Sequence, residues 1–568
     1  MRYQHFKGEA NLRRPRLGLR LTALVSVAAT LIFASSLRAG VKTINANSAS
    51  QSDVAAVITS ANDGDIVIVP GGTATWTHTL SVKKAIELRG AGVGSTVIKD
   101  NVQSGALILW DISGKTNARA RLTGIEFQNG GRTTYHTGVV TVTGSNTNGS
   151  QFRMDHCKWG EDVNGSPLFD TVIGVIDHNT FVRRTGEDGH AFWVFGSRWG
   201  GNSNGNGDGS WSAPTDFGSS QFLFFEDNTF TSTHPSYLIS LCDAYDGARF
   251  VMRHNRITGF TFQNHGTESS GRRRGTRATE FYNNYFDGKS LNQFVGGSRS
   301  GSQVIHDNTC VNFWGGGTWN LQNYRSYAAF PVFGGADGTN PWDVNDPRVY
   351  FTGTAAQNSS GTTVAVSGNP NWASNRWVGY VVRRTTNLCN VTNANTFGLI
   401  TGNTSNTLTW IPNAFTGLAA LSICAGDSVE IRKVIWAMDM PGRALGSLLP
   451  NAFNPPVPRG WNNQVTEPVY AWNNGQMRVV TNLPNIHEGE HFFNGTPMPG
   501  YMPYTYPHPL VTGGELPLLP APAATRTSLR KPWGGKQQKT KELKRKPGKK
   551  DKQNPANEMA ESQEKLGN

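Results

Sequence analysis

Cysteine is scarce in this chain, and its scarcity excludes two classes of protein. The 568 residues include 5 cysteines, with no Cys-x-x-Cys pair and no Cys/His spacing typical of a structural zinc site. So few cysteines do not make a disulfide scaffold, although Cys389 and Cys424 lie in one short segment and could pair. Cys157 and Cys310 fall inside a repeated phrase described below, which predicts buried ladder residues and not a redox site.

Charge is also sparse, and its distribution argues against nucleic-acid binding. Only 16% of residues are charged, and the formal net charge is +13. Residues 1–40 carry a net +6 and residues 526–568 a net +8, which leaves the body at −1. A nucleic-acid groove needs basic side chains on the folded body. We therefore expect no nucleic-acid partner.

Long apolar runs are absent from the sequence except for residues 21–37. Four arginines between positions 13 and 20 precede this run, and Ala39-Gly40 follows it, which predicts a signal peptide over residues 1–39. The mature protein would be secreted, periplasmic or at a bacterial cell surface, with no membrane span left after cleavage. An uncleaved anchor is the alternative, and Sec and twin-arginine export both remain open.

A short phrase recurs six times in the middle of the chain, with apolar positions, a polar pair that is usually Asn, and a bulky residue. The copies are residues 152–159, 175–181, 224–230, 251–257, 280–286 and 304–310. Their central positions, 157, 179, 228, 255, 284 and 308, are separated by 22, 49, 27, 29 and 24 residues. Steps near 25, one of them doubled, are typical of the coils of a parallel β-solenoid, whose units bury their apolar faces only by stacking.

The segment before the repeats predicts a cap for such a solenoid. Residues 52–61 place apolar side chains on one face of a short helix, and residues 66–69 read as a strand that ends at Pro70-Gly71. An open solenoid end exposes unpaired strand edges, so an N-terminal capping helix is expected.

These features resemble the pectate-lyase-like superfamily of right-handed parallel β-helices. The matching residues are the helix at 52–61, the Asp63-Gly64-Asp65 turn, Pro70-Gly71 and the run Leu88-Arg-Gly-Ala-Gly92. The resemblance implies an all-β, right-handed parallel β-helix over residues 41–345, with the repeated Asn residues stacked as a ladder. It leaves the chemistry open, because this fold hosts lyases, hydrolases, esterases and non-enzymes.

The remainder of the chain divides into three predicted parts. Residues 346–435 alternate strand-like runs with Asn/Ser/Thr/Gly turns, which predicts a small inserted β-rich module. Residues 436–515 are rich in Pro and aromatic residues and are expected to return irregularly across the β-helix. Residues 516–568 are Lys- and Pro-rich without apolar periodicity, which predicts a disordered basic tail.

The densest group of chemically active side chains lies between two copies of the phrase, at residues 264–277. The candidate site residues there are His265, Glu268, Arg272, Arg273, Arg274 and Arg277. Clustered arginines repel one another unless an anion or an acidic side chain neutralises their charge, and guanidinium groups bind carboxylates well. An acidic polysaccharide would be such a partner.

The resemblance implies roles for this cluster in β-elimination of a uronate polymer. Arg274 or Arg277 would be the base and His265 a proton partner, with Arg272, Arg273 and Glu268 binding substrate. The alternative is structural: these arginines pair with neighbouring acids and pin the loop.

Two further candidate sets flank the arginines. Asp243 and Asp246 stand at a turn one coil earlier and could bind Ca²⁺, or they could simply cap that turn. Trp199 and Trp211 lie in a Gly/Asn-rich loop, where we expect them to be exposed and to stack on sugar rings.

The sequence therefore predicts an exported, monomeric, carbohydrate-active protein, foremost a lyase acting on an acidic polysaccharide. A non-catalytic glycan-binding or structural β-helix is the alternative. A polygalacturonase-like hydrolase ranks lower, because no compact pair of aspartates stands on a strand. In an enzyme the arginines should line an open groove with Asp243 and Asp246, whereas in a structural protein they should be paired off.

Overall fold

The structure is a computed structural model that describes most of the chain between residues 40 and 513. The described ranges are 40–184, 190–201, 207–211, 213–264, 274–322, 349–378, 380–391, 397–410, 420–433, 441–442, 467–481 and 486–513. The predicted signal peptide and basic tail lie outside them. Among these ranges, no helix is both long enough and apolar enough to cross a membrane.

Nearly all regular structure is β, arranged as long parallel sheets whose strands stack coil upon coil, as in a parallel β-helix. Sheet A contains Thr43–Asn45, Ile66–Val69, Glu87–Gly90, Arg119–Thr123, Gln151–Asp155, Gly174–Asp177, Leu223–Glu226, Arg249–Arg253, Ala278–Tyr282, Ser302–His306, Val469–Trp472 and Phe492–Asn494. Sheet B contains Gly72–Trp76, Thr96–Asp100, Glu126–Asn129, Lys158–Trp159, Thr180–Arg183, Thr229–Ser232, Arg256–Thr258, Tyr285–Asp287 and Thr309–Val311.

Two shorter sheets form the remaining side of the coils. Sheet C contains Leu80–Val82, Ile108–Asp111, His136–Thr143, Gly165–Asp170, Phe192–Phe195 and Cys242–Tyr245. Sheet D contains Ile239–Ser240, Phe260–Asn264, Phe294–Ser298, Thr318–Leu321 and Arg478–Val480. Alternate residues of each strand point inward, so one continuous apolar core runs through the stack.

The repeated phrase is the turn from sheet A to sheet B, and its Asn residues form a buried ladder. Asn228 donates through Nδ2 to the carbonyl of Ile176 at 2.8 Å and to Oδ1 of Asn255 at 3.1 Å. Its own Oδ1 accepts from the backbone N–H of Asn179 at 2.9 Å. The ladder satisfies backbone groups that the turns leave unpaired, so it fixes each coil on the next.

The structure adds to or corrects the expected ladder in two details and agrees with the expected form of the long step. Asn474 continues the ladder, since its Oδ1 accepts from the backbone N–H of Asn308 at 3.1 Å. Cys157 occupies a ladder position, but Cys310 lies two residues beyond one, in a sheet-B strand, and is half-buried. The doubled step between 179 and 228 is one coil with a long loop, because Asn179 and Asn228 bond directly.

The helix predicted near the start spans Gln51–Ser60. Ser50 accepts from the backbone N–H of Asp53 at 3.2 Å, which satisfies a free donor of the first turn. Val54 and Ile58 are buried and join the apolar core of the first coils.

The inserted β-rich segment forms a six-stranded antiparallel sheet with a core of its own. Its strands are Val349–Thr354, Thr363–Ala365, Tyr380–Arg384, Phe397–Asn403, Thr407–Trp410 and Ser428–Lys433. A bridge between Ala355 and Val366 joins the first strand to the last in the pairing order, so the sheet closes on itself. Cys389 and Cys424 form a disulfide.

The C-terminal part is more regular than the predicted irregular return over 436–515. Val469–Trp472, Arg478–Val480 and Phe492–Asn494 extend sheets A and D, so the solenoid resumes after the insertion. Residues 498–513, here called the strap, then lie across the outer face of sheet A. Its Leu510 packs there with Phe224 and other apolar side chains.

Candidate functional site

The described arginines of the predicted catalytic cluster are buried. Arg274 and Arg277 are both 0% exposed. Arg277 pairs with Glu467 at 2.6 Å and donates to the carbonyl of Ala213 at 3.0 Å. This matches the structural alternative for Arg277, since the carboxylate of Glu467 neutralises its charge. His265, Glu268, Arg272 and Arg273 lie outside the described residues.

Trp199 and Trp211 were expected on the surface, and this expectation is wrong. Their exposures are 5% and 0%. The centroid of the Trp199 ring lies 4.5 Å from the guanidinium carbon of Arg249. The centroid of the Trp211 ring lies 5.2 Å from that of Arg277. The long loop folds back onto the coils because the indole faces cover these buried cations.

Arg249 completes this buried arrangement, and sequence reasoning missed it. Its guanidinium donates to the hydroxyl and carbonyl of Ser210 at 2.8 and 2.7 Å and to the carbonyl of Thr215 at 3.0 Å. Burial, together with the nearby charge of Arg277, lowers the Arg249 pKa to about 9. The arginine–tryptophan pairs therefore hold Trp199 and Trp211 against the coils.

Asp243 and Asp246 do lie beside residues 274–277, as the coil spacing predicted. The backbone N–H of Asp246 donates to the carbonyl of Arg274 at 2.7 Å, and Thr276 bonds to the carbonyl of Ala244. Both aspartates are buried, at 6% and 1% exposure. Asp246 has a left-handed backbone with φ 55°, which is typical of a turn.

Among the described residues, neither aspartate belongs to a cluster of three candidate metal ligands. Within the described ranges, one group of three His, Cys or acidic side chains is close enough to share an ion, namely Cys389, Cys424 and Asp427. The two cysteines of that group are already bonded to each other. Ca²⁺ at Asp243 and Asp246 therefore stays a prediction.

An aromatic surface lies on the outer face of sheet C, and the strand alternation creates it. Phe192 and Val194 point into the core, so Trp193 and Phe195 between and after them point outward. Tyr245 is in register with Phe195 on the next coil. We call Tyr135, Trp193, Phe195 and Tyr245 the aromatic face.

The rings of Trp193, Phe195 and Tyr245 are in mutual contact, and Trp193 Nε1 donates to the Tyr135 hydroxyl at 3.4 Å. Phe195 and Tyr245 have centroids 4.3 Å apart, and Trp193 stands edge-on to Tyr245 at 6.1 Å. The Tyr135 hydroxyl lies 2.8 Å from Ser166 Oγ. Phe195, Tyr245 and Tyr135 are half-buried, while Trp193 is 7% exposed and stands edge-on to Phe195 and Tyr245.

Among the described residues, charges of both signs border this face, since the guanidinium carbon of Arg183 lies 6.0 Å from the centroid of the Tyr135 ring. Asp170 is in register with Phe195 and accepts from the backbone N–H and hydroxyl of Ser197 at 3.0 and 2.5 Å. Asp243 is in register with Trp193. A platform of rings with a few fixed polar groups is typical of a small-molecule or sugar site.

Sequence reasoning missed the aromatic face because the run Phe192–Phe195 is apolar throughout. A continuous apolar run does not reveal which residues face inward. The available signal was the strand period of two, combined with Asp243 and Tyr245 at alternate positions of the next coil's strand.

A second buried polar group lies on the outer face of sheet A, beneath the strap. Arg253 and Glu226 are both fully buried and pair at 2.6 Å. Arg253 also donates to the strap carbonyls of Tyr504 and Thr505 at 2.7 and 2.9 Å. Glu226 accepts from the backbone N–H of His508 at 2.8 Å. These bonds clamp the strap to the coils.

Two titratable groups beneath the strap have strongly shifted pKa values. Burial raises the pKa of Glu280 to about 7, although Gly218 and the Tyr501 hydroxyl both donate to it. Burial and the nearby charge of Arg253 lower the pKa of His508 to about 3. The strap covers this polar group, whose contacts are best explained as holding the strap on the coils.

Comparison with known proteins does not assign this chain to a family. No family model matches it, and no curated protein or solved structure matches it. The function must therefore be argued from the site.

Proposed function

We propose that this is an exported, glycan-binding protein built on a right-handed parallel β-helix, and that it binds sugar on the aromatic face of sheet C. The observation that carries the proposal is the contact pair Phe195–Tyr245, which presents half-buried rings from adjacent coils at 4.3 Å. Aromatic rings stack on the apolar faces of pyranose rings. Adjacent coils are about 4.8 Å apart, so the pair offers a surface the size of one sugar ring.

The non-catalytic form of the hypothesis has the better support. A base for β-elimination must reach substrate, but Arg277 is fully buried and paired with Glu467. The described border of the aromatic face carries Asp170 and Asp243 as well as Arg183, so neutral glycans fit it at least as well as uronates.

Export is supported by the disulfide. Cys389 and Cys424 are bonded, and disulfides persist in oxidising compartments such as the periplasm or the extracellular space. The helix Gln51–Ser60 would cap the first coils of the right-handed solenoid, since Val54 and Ile58 enter its core.

The test is a binding panel that includes neutral and uronate polysaccharides, with and without Ca²⁺. We expect saturable binding of at least one polymer without unsaturated product. Correctly folded protein that binds none of them would contradict the proposal.

A lyase is the second candidate, favoured by one observation. Residues 274–277 lie directly beside the strand end that carries Asp243 and the turn residue Asp246, as a two-part site on adjacent coils requires. Release of unsaturated product that Arg277→Ala abolishes would favour the lyase. Product that persists in both Arg274→Ala and Arg277→Ala would place the base elsewhere.

A further inference from the structure

We propose that His156 and His178 form a surface binding site for a divalent transition-metal ion of the Cu²⁺, Ni²⁺ and Zn²⁺ group. The two residues lie on the turns between sheets A and B, whereas the proposed glycan surface lies on sheet C. The site is therefore independent of the proposed function.

The two histidines occupy the same place on consecutive coils. Asp155 and Asp177 are in register at the ends of adjacent sheet-A strands, and each histidine follows its aspartate directly. Both histidines have a left-handed backbone, with φ 50° and 53°. The coil repeat therefore stacks the two rings, whose centroids are 5.4 Å apart with planes 5° from parallel. Their side chains are 61% and 44% exposed.

The first imidazole is oriented by a carboxylate that an arginine fixes in turn. His156 Nδ1 lies 2.7 Å from Oδ2 of Asp155, a side chain with no exposure. Arg121 donates to the two oxygens of Asp155 at 2.7 and 2.5 Å. Because an ionised carboxylate only accepts, Nδ1 must carry the proton, which leaves the lone pair on Nε2.

The next coil repeats this arrangement. His178 Nδ1 lies 2.9 Å from Oδ2 of Asp177, which is also fully buried. Arg153 donates to the two oxygens of Asp177 at 2.9 and 2.7 Å. A carboxylate on the far nitrogen is how metal-binding histidines are held in general, because it fixes the tautomer and raises the basicity of the ligating nitrogen.

The two exposed imidazoles, each with its tautomer fixed by a buried carboxylate, need only a small movement to bind one ion together. Metal–nitrogen distances of about 2.1 Å require the two Nε2 atoms to approach to about 4 Å. Tilting the two exposed rings toward each other would bring their Nε2 lone pairs together, and the Nδ1–carboxylate bonds would lengthen as the rings tilt. Asp227 stands at the same turn position one coil further on, but its carboxylate accepts from the Tyr506 hydroxyl at 2.9 Å, so the two histidines are the protein ligands of the proposed site. Water would complete the coordination, and imidazole ligands select Cu²⁺, Ni²⁺ or Zn²⁺ over Ca²⁺ or Mg²⁺.

The experiment titrates the mature full-length chain with Cu²⁺ and records its paramagnetic resonance spectrum, with Zn²⁺ calorimetry in parallel. We expect one site with two nitrogen ligands. His156→Asn and His178→Asn should each leave one nitrogen and lower the affinity at least tenfold. Both variants should fold, because Asn283 and Asn473 occupy the equivalent turn position with φ 55° and 53°.

The matched control is His78→Asn, which removes an exposed histidine outside these turns. It should bind as the unaltered protein does. The proposal is overturned by a protein that binds neither ion, by unchanged affinity in both His156→Asn and His178→Asn, or by an equal loss in the control. Any of these results would show that the two histidines stack as part of the turns and do not bind a metal ion together.

Discussion

At the residue scale, the ladder asparagines and the outward aromatic residues have opposite roles. Asn228 is buried, and its amide bonds to groups on the coils before and after it. Phe195 and Tyr245 keep part of their rings at the surface, where the two rings contact each other. The asparagines hold the coils together, whereas the aromatic residues present ring surface outside the core.

Replacing a ladder amide should destabilise the stack strongly. Asn228→Ala leaves the carbonyl of Ile176 and the backbone N–H of Asn179 without their partner. Each buried group left unpaired costs about 1–3 kcal/mol, so we expect a clear fall in the free energy of unfolding. Chemical denaturation should show this fall, whereas Thr229→Ala, the exposed neighbour, should change little. Equal effects of the two changes would contradict the ladder's role.

Glu280 should make stability depend on pH near neutrality. Its pKa is about 7 in the folded protein and near 4.5 when unfolded, so the folded state holds the proton more tightly. Its contribution is therefore fully present below pH 4.5 and is lost as the pH rises through 7. Glu280→Gln should flatten this part of the stability profile, measured by thermal unfolding between pH 4.5 and 8. An unchanged slope would show that Glu280 is not the group responsible.

At the element scale, the strap acts as a fastening on sheet A. Arg253 and Glu226 reach it through backbone groups, and Leu510 packs on Phe224 and its neighbours. The polar contacts go to backbone atoms of the strap as much as to its side chains. Its attachment therefore depends on the path of the chain, which is harder to predict from residue types.

Truncation should distinguish the contribution of the strap to stability from that of the residues that follow it. A chain ending at 497 would expose Phe224, Val251 and Tyr282, together with the Arg253–Glu226 pair. We expect a lower melting temperature and binding of a hydrophobic dye, because a buried apolar face becomes accessible. A chain ending at 513 is the control and should behave as the full chain does. Equal melting temperatures for the two truncated chains would show that the strap does not stabilise the protein.

The repeats were predictable from sequence because each coil repeats one polar–apolar phrase at a nearly constant step. Asn474 escaped prediction because the inserted sheet puts it 166 residues after Asn308. Trp199 and Trp211 were misjudged because nothing local shows that a Gly-rich loop folds back onto Arg249 and Arg277. Long-range contacts of this kind leave no periodic signal.

At the scale of the whole molecule, the described residues after Val41 form a stack of coils with one inserted sheet, and the strap lies on the outer face of sheet A. The insertion has its own core, with Trp372, Trp377 and Trp410, so it does not interrupt the stacking of the coils on either side. Such a scaffold keeps outward residues at fixed spacings along each face. The aromatic face and the stacked histidines both depend on that regularity.

The central claim, that the aromatic face binds glycan, is tested most directly by calorimetry with the polymer that binds best in the panel. The double variant Phe195→Ala/Tyr245→Ala should lose affinity at least tenfold, because it removes both rings of the platform. Tyr285→Ala removes a half-buried outward ring from sheet B and should bind normally. Unchanged affinity of a correctly folded double variant would contradict the claim.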